Sequence, residues 1–198
     1  SSDVCSSDLS LIVIVFAPLP EPAPGLIDRY LVACADAEIP ALVVLNKSDL
    51  LKENDPILDL LKEYKNLGYE VMQTQSDGDL TELSARLNDE TVAFVGQSGV
   101  GKSTLINAIV PDAAQKTNVI SENSALGQHT TTSTRLISFG DGAALIDSPG
   151  IREFGLWHLT LDKVQSGFPE IENLLGHCQF RNCTHKHEKQ CALRQAAS

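Results

Sequence analysis

The sequence predicts an α/β domain of three layers built on a mostly parallel sheet, followed by a small helical segment held by metal. Three observations carry that prediction. Continuous apolar runs at Leu11–Phe16 and Ala41–Leu45 are the pattern of strands buried on both faces, the habit of parallel sheets. Stretches with apolar residues at helical spacing alternate with such runs, which makes β-α units. Near the end of the chain, Cys178, Cys183 and Cys191 share a short stretch with His185.

Taken in order, Leu11–Phe16 ends in a proline-rich turn from Pro18 to Pro24. Leu26 to Glu38 reads as a helix, with Leu26, Ile27, Tyr30, Leu31, Ala33 and Cys34 on its apolar face and Cys34 a small core residue. Ala41–Leu45 is a second strand and runs straight into Asn46-Lys47-Ser48-Asp49. Ile57 to Tyr64 is an amphipathic helix, with Asp55 as its cap and Pro56 in its first turn. A third strand is expected over Tyr69–Thr74 and a third helix over Leu80–Leu87, after a Gly78-Asp79 turn. Thr91–Val95 is the fourth strand and Lys102–Ile109 the fourth helix. Residues 111–133 are polar with little periodicity and read as a mobile loop. Thr134–Phe139 and Ala143–Ile146 flank Gly140-Asp141-Gly142, a hairpin signal.

Between the fourth strand and helix lies Gly96-Gln97-Ser98-Gly99-Val100-Gly101-Lys102-Ser103, followed by Thr104. This fits G-x-x-x-x-G-K-[ST] in the strand–loop–helix setting that makes the pattern a phosphate site. The glycines let backbone N–H groups turn onto phosphate oxygens, and the helix N-terminus adds partial positive charge. Lys102 would reach the β- and γ-phosphates, and the Ser103 hydroxyl would hold Mg²⁺. Asn46-Lys47-Ser48-Asp49 fits N-K-x-D. The Asp49 carboxylate can accept hydrogen bonds from the ring N–H and exocyclic amino group of guanine, whereas adenine would leave it unpaired. Asn46 would tie this loop to the phosphate loop, and the Lys47 stem would cover the base. The sequence therefore asks for guanine.

Asp147-Ser148-Pro149-Gly150 fits D-x-x-G, with Asp147 near Mg²⁺ through water and the Gly150 N–H sensing a γ-phosphate. Gly127-Gln128-His129-Thr130-Thr131-Thr132 lies before it, and one of its threonines should complete the Mg²⁺ shell as the loop orders. Thr131 is favoured, but Thr130 and Thr132 are not separable from it on sequence. The order of motifs is informative. N-K-S-D precedes the phosphate loop here and follows it in ordinary guanine-nucleotide switches, so the chain is circularly permuted. Chain termini at a domain surface make such a rearrangement tolerable. It also places D-x-x-G directly before the cysteine segment.

That segment reads Cys178-x4-Cys183-x-His185-x5-Cys191. Three thiolates and one imidazole make a closed set suited to one structural zinc ion, with no open position for a catalytic water. His177 and His187 flank the set as substitutes for His185, and rank below it as surface residues. Arg181, Lys186, Lys189 and Arg194 form a local positive cluster that could touch a phosphate backbone or simply face water.

Bulk properties exclude some classes. A net charge of −11 argues against a self-sufficient, non-specific nucleic-acid binder. The longest apolar run, Leu9 to Leu19, is broken by Ser10 and Pro18 and is too short to span a bilayer. No signal peptide or lipidation motif is recognised. Cysteines clustered with histidines suggest metal rather than disulfides, hence a reducing cytosol. The first nine residues, Ser-Ser-Asp-Val-Cys-Ser-Ser-Asp-Leu, match the translation of a common sequencing-library adapter and are set aside as non-native.

With these residues in hand, the chain from about Leu11 onward resembles the RsgA (YjeQ) family of circularly permuted GTPases acting in small-ribosomal-subunit biogenesis. The match includes Leu26-Ile27-Asp28-Arg29-Tyr30-Leu31, Gly96 to Thr104, Gly127 to Thr131, Asp147 to Phe154 and the Cys-Cys-His-Cys set. The resemblance implies a permuted GTPase domain over residues 10–155 and a zinc-binding helical domain over 156–198, cut short at Ser198. It also implies an RNA-binding OB-fold at the N-terminus, which is missing from this chain. The implied activity is hydrolysis of GTP to GDP and phosphate with Mg²⁺, stimulated by the small ribosomal subunit, in late maturation of that subunit and with contact to its rRNA. A cytoplasmic monomer with no membrane association follows. The alternative is a GTP-gated binding module whose nucleotide state times release from the subunit, hydrolysis being secondary. Ile151 stands where many switches carry a water-orienting Gln, and the resemblance suggests His129 for that task; the competing role for His129 is packing against the subunit. Gly99 replaces the Asn that supports potassium in some related GTPases, so that mechanism is not expected. Thr74-Gln75-Ser76 departs from the usual Ser-Ala pattern of the base-edge loop.

Overall fold

A computed structural model describes residues 9–23, 25–75, 77–110, 135–147 and 159–197 of the 198-residue chain. Strand β1 (Leu11–Phe16) is followed by helix α1 (Leu26–Asp36), β2 (Ala41–Leu45), α2 (Pro56–Asn66), β3 (Glu70–Gln73), α3 (Thr81–Arg86), β4 (Thr91–Val95) and α4 (Lys102–Ile109). The hairpin β5 (Arg135–Phe139) and β6 (Ala143–Asp147) comes next, then short helices α5 (Leu161–Ser166), α6 (Pro169–Glu172) and α7 (Ala192–Ala196).

The six strands form one sheet in the order β3-β2-β1-β4-β6-β5. All neighbouring pairs are parallel except β5 with β6, the hairpin that the glycine turn announced. Every residue of β1 is buried. Its side chains alternate between two apolar layers. Leu11, Val13 and Val15 join Leu83 and Leu87 from the α3 region and Leu105 of α4. Ile12, Ile14 and Phe16 join Ile27 and Leu31 of α1 with Ile57 and Leu61 of α2. Helices thus cover both faces, which is why β1 reads as unbroken apolar sequence. Each such side chain contributes about 1.5–3 kcal/mol when fully buried.

Helix α2 starts as its sequence requires. Asp55 accepts a hydrogen bond from the Ile57 N–H, and Pro56 takes the first helical position. Strand β3 is shorter than expected by one residue at each end. Tyr69 instead closes α2 through its N–H to the Tyr64 carbonyl (3.1 Å), and its ring meets that of Tyr64 edge-on at 6.3 Å. Thr74 leaves the strand to make bonds at the candidate site. Helix α3 likewise lacks Leu80 and Leu87, which serve as its caps.

From β1 the chain steps outward through β2 to β3; from β4 it continues on the other side through β6. The order reverses between β1 and β4, and such a point leaves a crevice at the carboxyl ends of the strands. The segment from residue 159 packs onto α1. A Cβ on Gly167 would lie 2.7 Å from Val32 Cγ1, so only glycine permits this approach, and Lys163 pairs with Asp36 at 2.8 Å.

Candidate functional site

The phosphate-loop sequence leaves β4 at the crevice and closes onto α4, whose N-cap is Gly101. Gly96 is required at its position for two reasons. Its φ is +142°, and a Cβ there would sit 2.1 Å from the Val15 carbonyl oxygen of β1. Lys102 folds back over the loop, and its Nζ donates to the carbonyls of Gly96 (2.7 Å) and Gln97 (2.8 Å). Val100 is buried, while Ser98, Gly99, Ser103 and Thr104 are exposed. The Gln97 side chain accepts from the Ala23 N–H at 3.2 Å, tying the loop to the turn after β1. Burial holds the Tyr30 phenol above its ordinary range, although the facing Gly96 amide opposes this.

The N-K-S-D segment lies at the end of β2, two strands away. Asn46 is fully buried, and its Nδ2 donates to the Val100 carbonyl at 3.0 Å. The tie between the two loops that the sequence suggested therefore exists as a buried hydrogen bond. Lys47 adopts a left-handed backbone (φ 58°), and its Nζ donates to the Leu19 carbonyl (2.9 Å) and the Gly99 carbonyl (2.6 Å). Ser48, Asp49 and Leu50 make one 3₁₀ turn that leaves Asp49 exposed and open to a ligand.

Sequence reasoning missed Thr74 as a participant. This buried residue donates from its hydroxyl to Asn46 Oδ1 at 3.1 Å, and its carbonyl accepts from the Ser48 N–H at 3.1 Å. Its own N–H returns to the Leu45 carbonyl at 2.8 Å. A buried amide such as Asn46 is costly unless its polar ends are bonded, and Thr74 satisfies the end that Val100 does not. The Thr74 bond to Asn46 spans 28 positions across the sheet, so no local pattern announced it.

Asp147 ends β6, next to β4, and is opposite Arg135 in the hairpin register. Ser148, Pro149 and Gly150 lie outside the described residues, as do His129, Thr130, Thr131 and Thr132. The described residues thus place N-K-S-D, the phosphate loop and the first residue of D-x-x-G at the carboxyl ends of β2, β4 and β6, with β1 between the first two. An anion at the α4 N-terminus would meet Lys102 and the helix dipole together.

The second cluster is built from turns. The sulfurs of Cys178, Cys183 and Cys191 and a ring nitrogen of His185 all lie within 4.8 Å of one another. His185 Nδ1 is 3.5 Å from Cys178 Sγ and 3.4 Å from Cys191 Sγ, and those two sulfurs are 4.0 Å apart. Tetrahedral zinc, with Zn–S about 2.3 Å and Zn–N about 2.0–2.1 Å, has S···S edges of about 3.8 Å and S···N edges of about 3.6 Å. The residues present fit zinc. Burial opposes ionisation of Cys191, but the Arg194 amide, His185 and the two other sulfurs outweigh it and lower its pKa; burial pushes the Cys183 thiol up. The Ala192 N–H points at Cys178 Sγ from 3.4 Å, an outer-sphere contact that suits a thiolate. His177 and His187 are exposed and outside the four-residue group. Arg181, Lys186, Lys189 and Arg194 are all exposed around it, as is Phe180. Cys34 is buried on the core face of α1, and burial raises its thiol to about 12.

Among the described residues, no helix is long and apolar enough to cross a membrane. A family model described as RsgA GTPase matches residues 2–157. The Small ribosomal subunit biogenesis GTPase RsgA of Actinobacillus succinogenes is 49% identical over 197 residues, covering 98% of this chain and 57% of that protein. Its counterpart in Pseudomonas putida is 50% identical over 195 residues, covering 96% and 57%. The chain thus spans somewhat more than half the length of these relatives. Among solved structures, YjeQ from Thermotoga maritima superposes with a TM-score of 0.76 at 28% identity, covering 96% of this chain and 64% of that one. YloQ, a circularly permuted GTPase, superposes at 0.68 with 30% identity, covering 96% and 61%.

Proposed function

The chain belongs to the RsgA GTPase family, and we propose that it binds GTP at the strand-end crevice and hydrolyses it to GDP and phosphate during late maturation of the small ribosomal subunit. The observation that carries this reading is the buried Asn46 amide on the Val100 carbonyl. It fixes a guanine-reading carboxylate, Asp49, to a phosphate loop, so base identity and phosphate position are read by one rigid edge.

In this reading Gly96, Gln97, Ser98, Gly99, Val100, Gly101, Lys102, Ser103 and Thr104 surround the phosphates, and Asn46, Lys47, Ser48 and Asp49 hold the base. Lys102 exchanges its carbonyl partners for β- and γ-phosphate oxygens, where its charge offsets what develops in the transition state. The exposed Ser103 hydroxyl at the start of α4 fits a Mg²⁺ ligand, with Thr131 the second protein ligand and Asp147 nearby. When bound there, Mg²⁺ would offset the negative charge of the phosphates as it develops during hydrolysis. His129 orients the attacking water, because Ile151 cannot, and Gly150 senses the γ-phosphate. Cys178, Cys183, His185 and Cys191 hold zinc in a structural role. The exposed Arg181, Lys186, Lys189 and Arg194 supply the positive charge for contact with rRNA. The protein works as a monomer in the cytoplasm.

Single-turnover GTP hydrolysis, with and without small ribosomal subunits, tests the reading. Subunits should accelerate the native chain strongly and His129→Ala weakly. Equal stimulated rates would remove His129 from catalysis, and no stimulation of either chain would sink the ribosomal assignment. Asp49→Asn should move preference from guanosine towards xanthosine nucleotides; unchanged preference would defeat the base assignment.

A further inference from the structure

His185 stands in a left-handed backbone conformation, φ 62°, that glycine adopts freely and histidine does not. Something must hold the turn there, and the structure shows what does. The Glu188 carboxylate lies across the turn. Its Oε1 accepts from the Thr184 N–H (2.9 Å) and the Thr184 hydroxyl (2.6 Å). Its Oε2 accepts from the N–H groups of Lys186 and His187, both at 3.1 Å. These bonds keep the Glu188 carboxyl far below the usual carboxylate range, Thr184 being the largest cause. The backbone amide of His185 faces the Cys183 sulfur. Every N–H from Thr184 to His187 is thereby assigned, and the imidazole is aimed with Nδ1 at Cys178 and Cys191.

We propose that Glu188 is the positioning residue of the metal site: its carboxylate clamps the 184–187 turn so that His185 presents Nδ1 as the fourth ligand. This rests on the zinc reading of the four-residue cluster. It makes a claim that the ligand spacing alone does not, because Glu188 touches no ligand atom and acts through the backbone. Outer-shell partners of metal ligands typically tune affinity by 10- to 100-fold. Replacement by Gln keeps one acceptor oxygen and turns an NH₂ onto two N–H donors, so it should weaken the clamp without abolishing it.

The test is metal binding by the full chain, using Zn²⁺ in competition with a chelating dye and Co²⁺ absorption as a ligand-sensitive probe. Native protein should bind one Co²⁺ with the spectrum of three sulfurs and one nitrogen, and His185→Ala should lose the nitrogen signature. Glu188→Ala should weaken Zn²⁺ by roughly 10- to 100-fold and shift its Co²⁺ spectrum towards that of His185→Ala. Glu188→Gln should fall between Glu188→Ala and the native chain. An unchanged affinity in Glu188→Ala overturns the proposal. So does a weakened affinity with the native spectrum, since Glu188 would then only stabilise the segment. If the native chain shows no three-sulfur, one-nitrogen spectrum, the zinc reading itself falls and the proposal falls with it.

Discussion

At the strand ends, the bonds that shape the site join residues far apart in sequence. Asn46 reaches Val100 across 54 positions, Lys47 reaches Gly99 across 52, and Thr74 reaches Asn46 across 28. Around the cysteines the bonds are local. Glu188 reaches Thr184 across four positions and Lys186 across two, and the longest sulfur contact, from Ala192 to Cys178, spans 14. The first region can hold such distant partners together because β2 and β4, buried beyond their first residues, and the fully buried β1 between them fix its strand ends independently. The second has little apolar burial of its own. Of residues 159–197, Gly167 and Cys191 are buried among those whose burial is described. The comparison teaches that core packing places one site, while metal ligation must place the other.

Removing zinc should have the largest effect, because structural zinc contributes about 10–16 kcal/mol in small metal-held units. Treatment with a strong chelator should expose the amides of residues 178–197 to rapid hydrogen exchange and leave GDP affinity within about threefold, under 1 kcal/mol. A large loss of GDP affinity would show that the two regions are one cooperative unit. Lys102→Ala should do the converse. Loss of one preorganised charge at the phosphates should lower single-turnover hydrolysis by about 10²–10³, with zinc content unchanged when metal per chain is measured.

Thr74→Val is a finer cut at the same comparison. Valine keeps the shape and removes the hydroxyl, taking one donor away from the buried Asn46 Oδ1. A loss of about 1–2 kcal/mol in stability is expected, read as a lower midpoint in urea, together with roughly 5- to 30-fold weaker guanine-nucleotide binding. The long-range tie is set aside if GDP affinity stays native in this variant.

How much of this was legible in the sequence follows the same division. Strand β1 and helix α4 were placed at their observed bounds, because six apolar residues in a row and a glycine loop followed by helical spacing leave little choice. The phosphate-loop and N-K-S-D motifs were legible as patterns, and so was their reversed order. Partners set by tertiary geometry were hidden. Nothing local says that Thr74 leaves its strand to bond Asn46, that Lys47 reaches back to Leu19, or that Gly167 meets Val32 of α1. Glu188 was hidden for another reason. A glutamate in a turn looks like a solvated charge until the left-handed residue at His185 is seen.

Cysteine offers the smallest and most direct test, since one residue type occurs in both regions, packed in the core in one and gathered with three other ligand groups in the other. The core holds the Cys34 thiol at about 12 from an ordinary 9.0, through burial alone. In the cysteine cluster, burial likewise raises Cys183, but hydrogen bonds from the Arg194 amide, His185 and the other two sulfurs outweigh burial at Cys191 and lower it. A thiol with a raised folded pKa favours the folded state below its unfolded value and loses that advantage as pH rises towards the folded value. Native stability should therefore fall relative to Cys34→Ala between pH 8 and pH 10, by about 1 kcal/mol at 1.36 kcal/mol per unit of pKa difference expressed. Urea midpoints of the two chains at each pH measure it, and parallel curves would mean that Cys34 ionises as easily folded as unfolded. Iodoacetamide at pH 8 gives the companion measurement. After zinc removal the three cluster cysteines should alkylate and Cys34 should not, because an un-ionised thiol on the buried face of α1 offers neither nucleophile nor access. Labelling of Cys34 at the cluster's rate would place it outside the core and erase the contrast between the two regions at this residue.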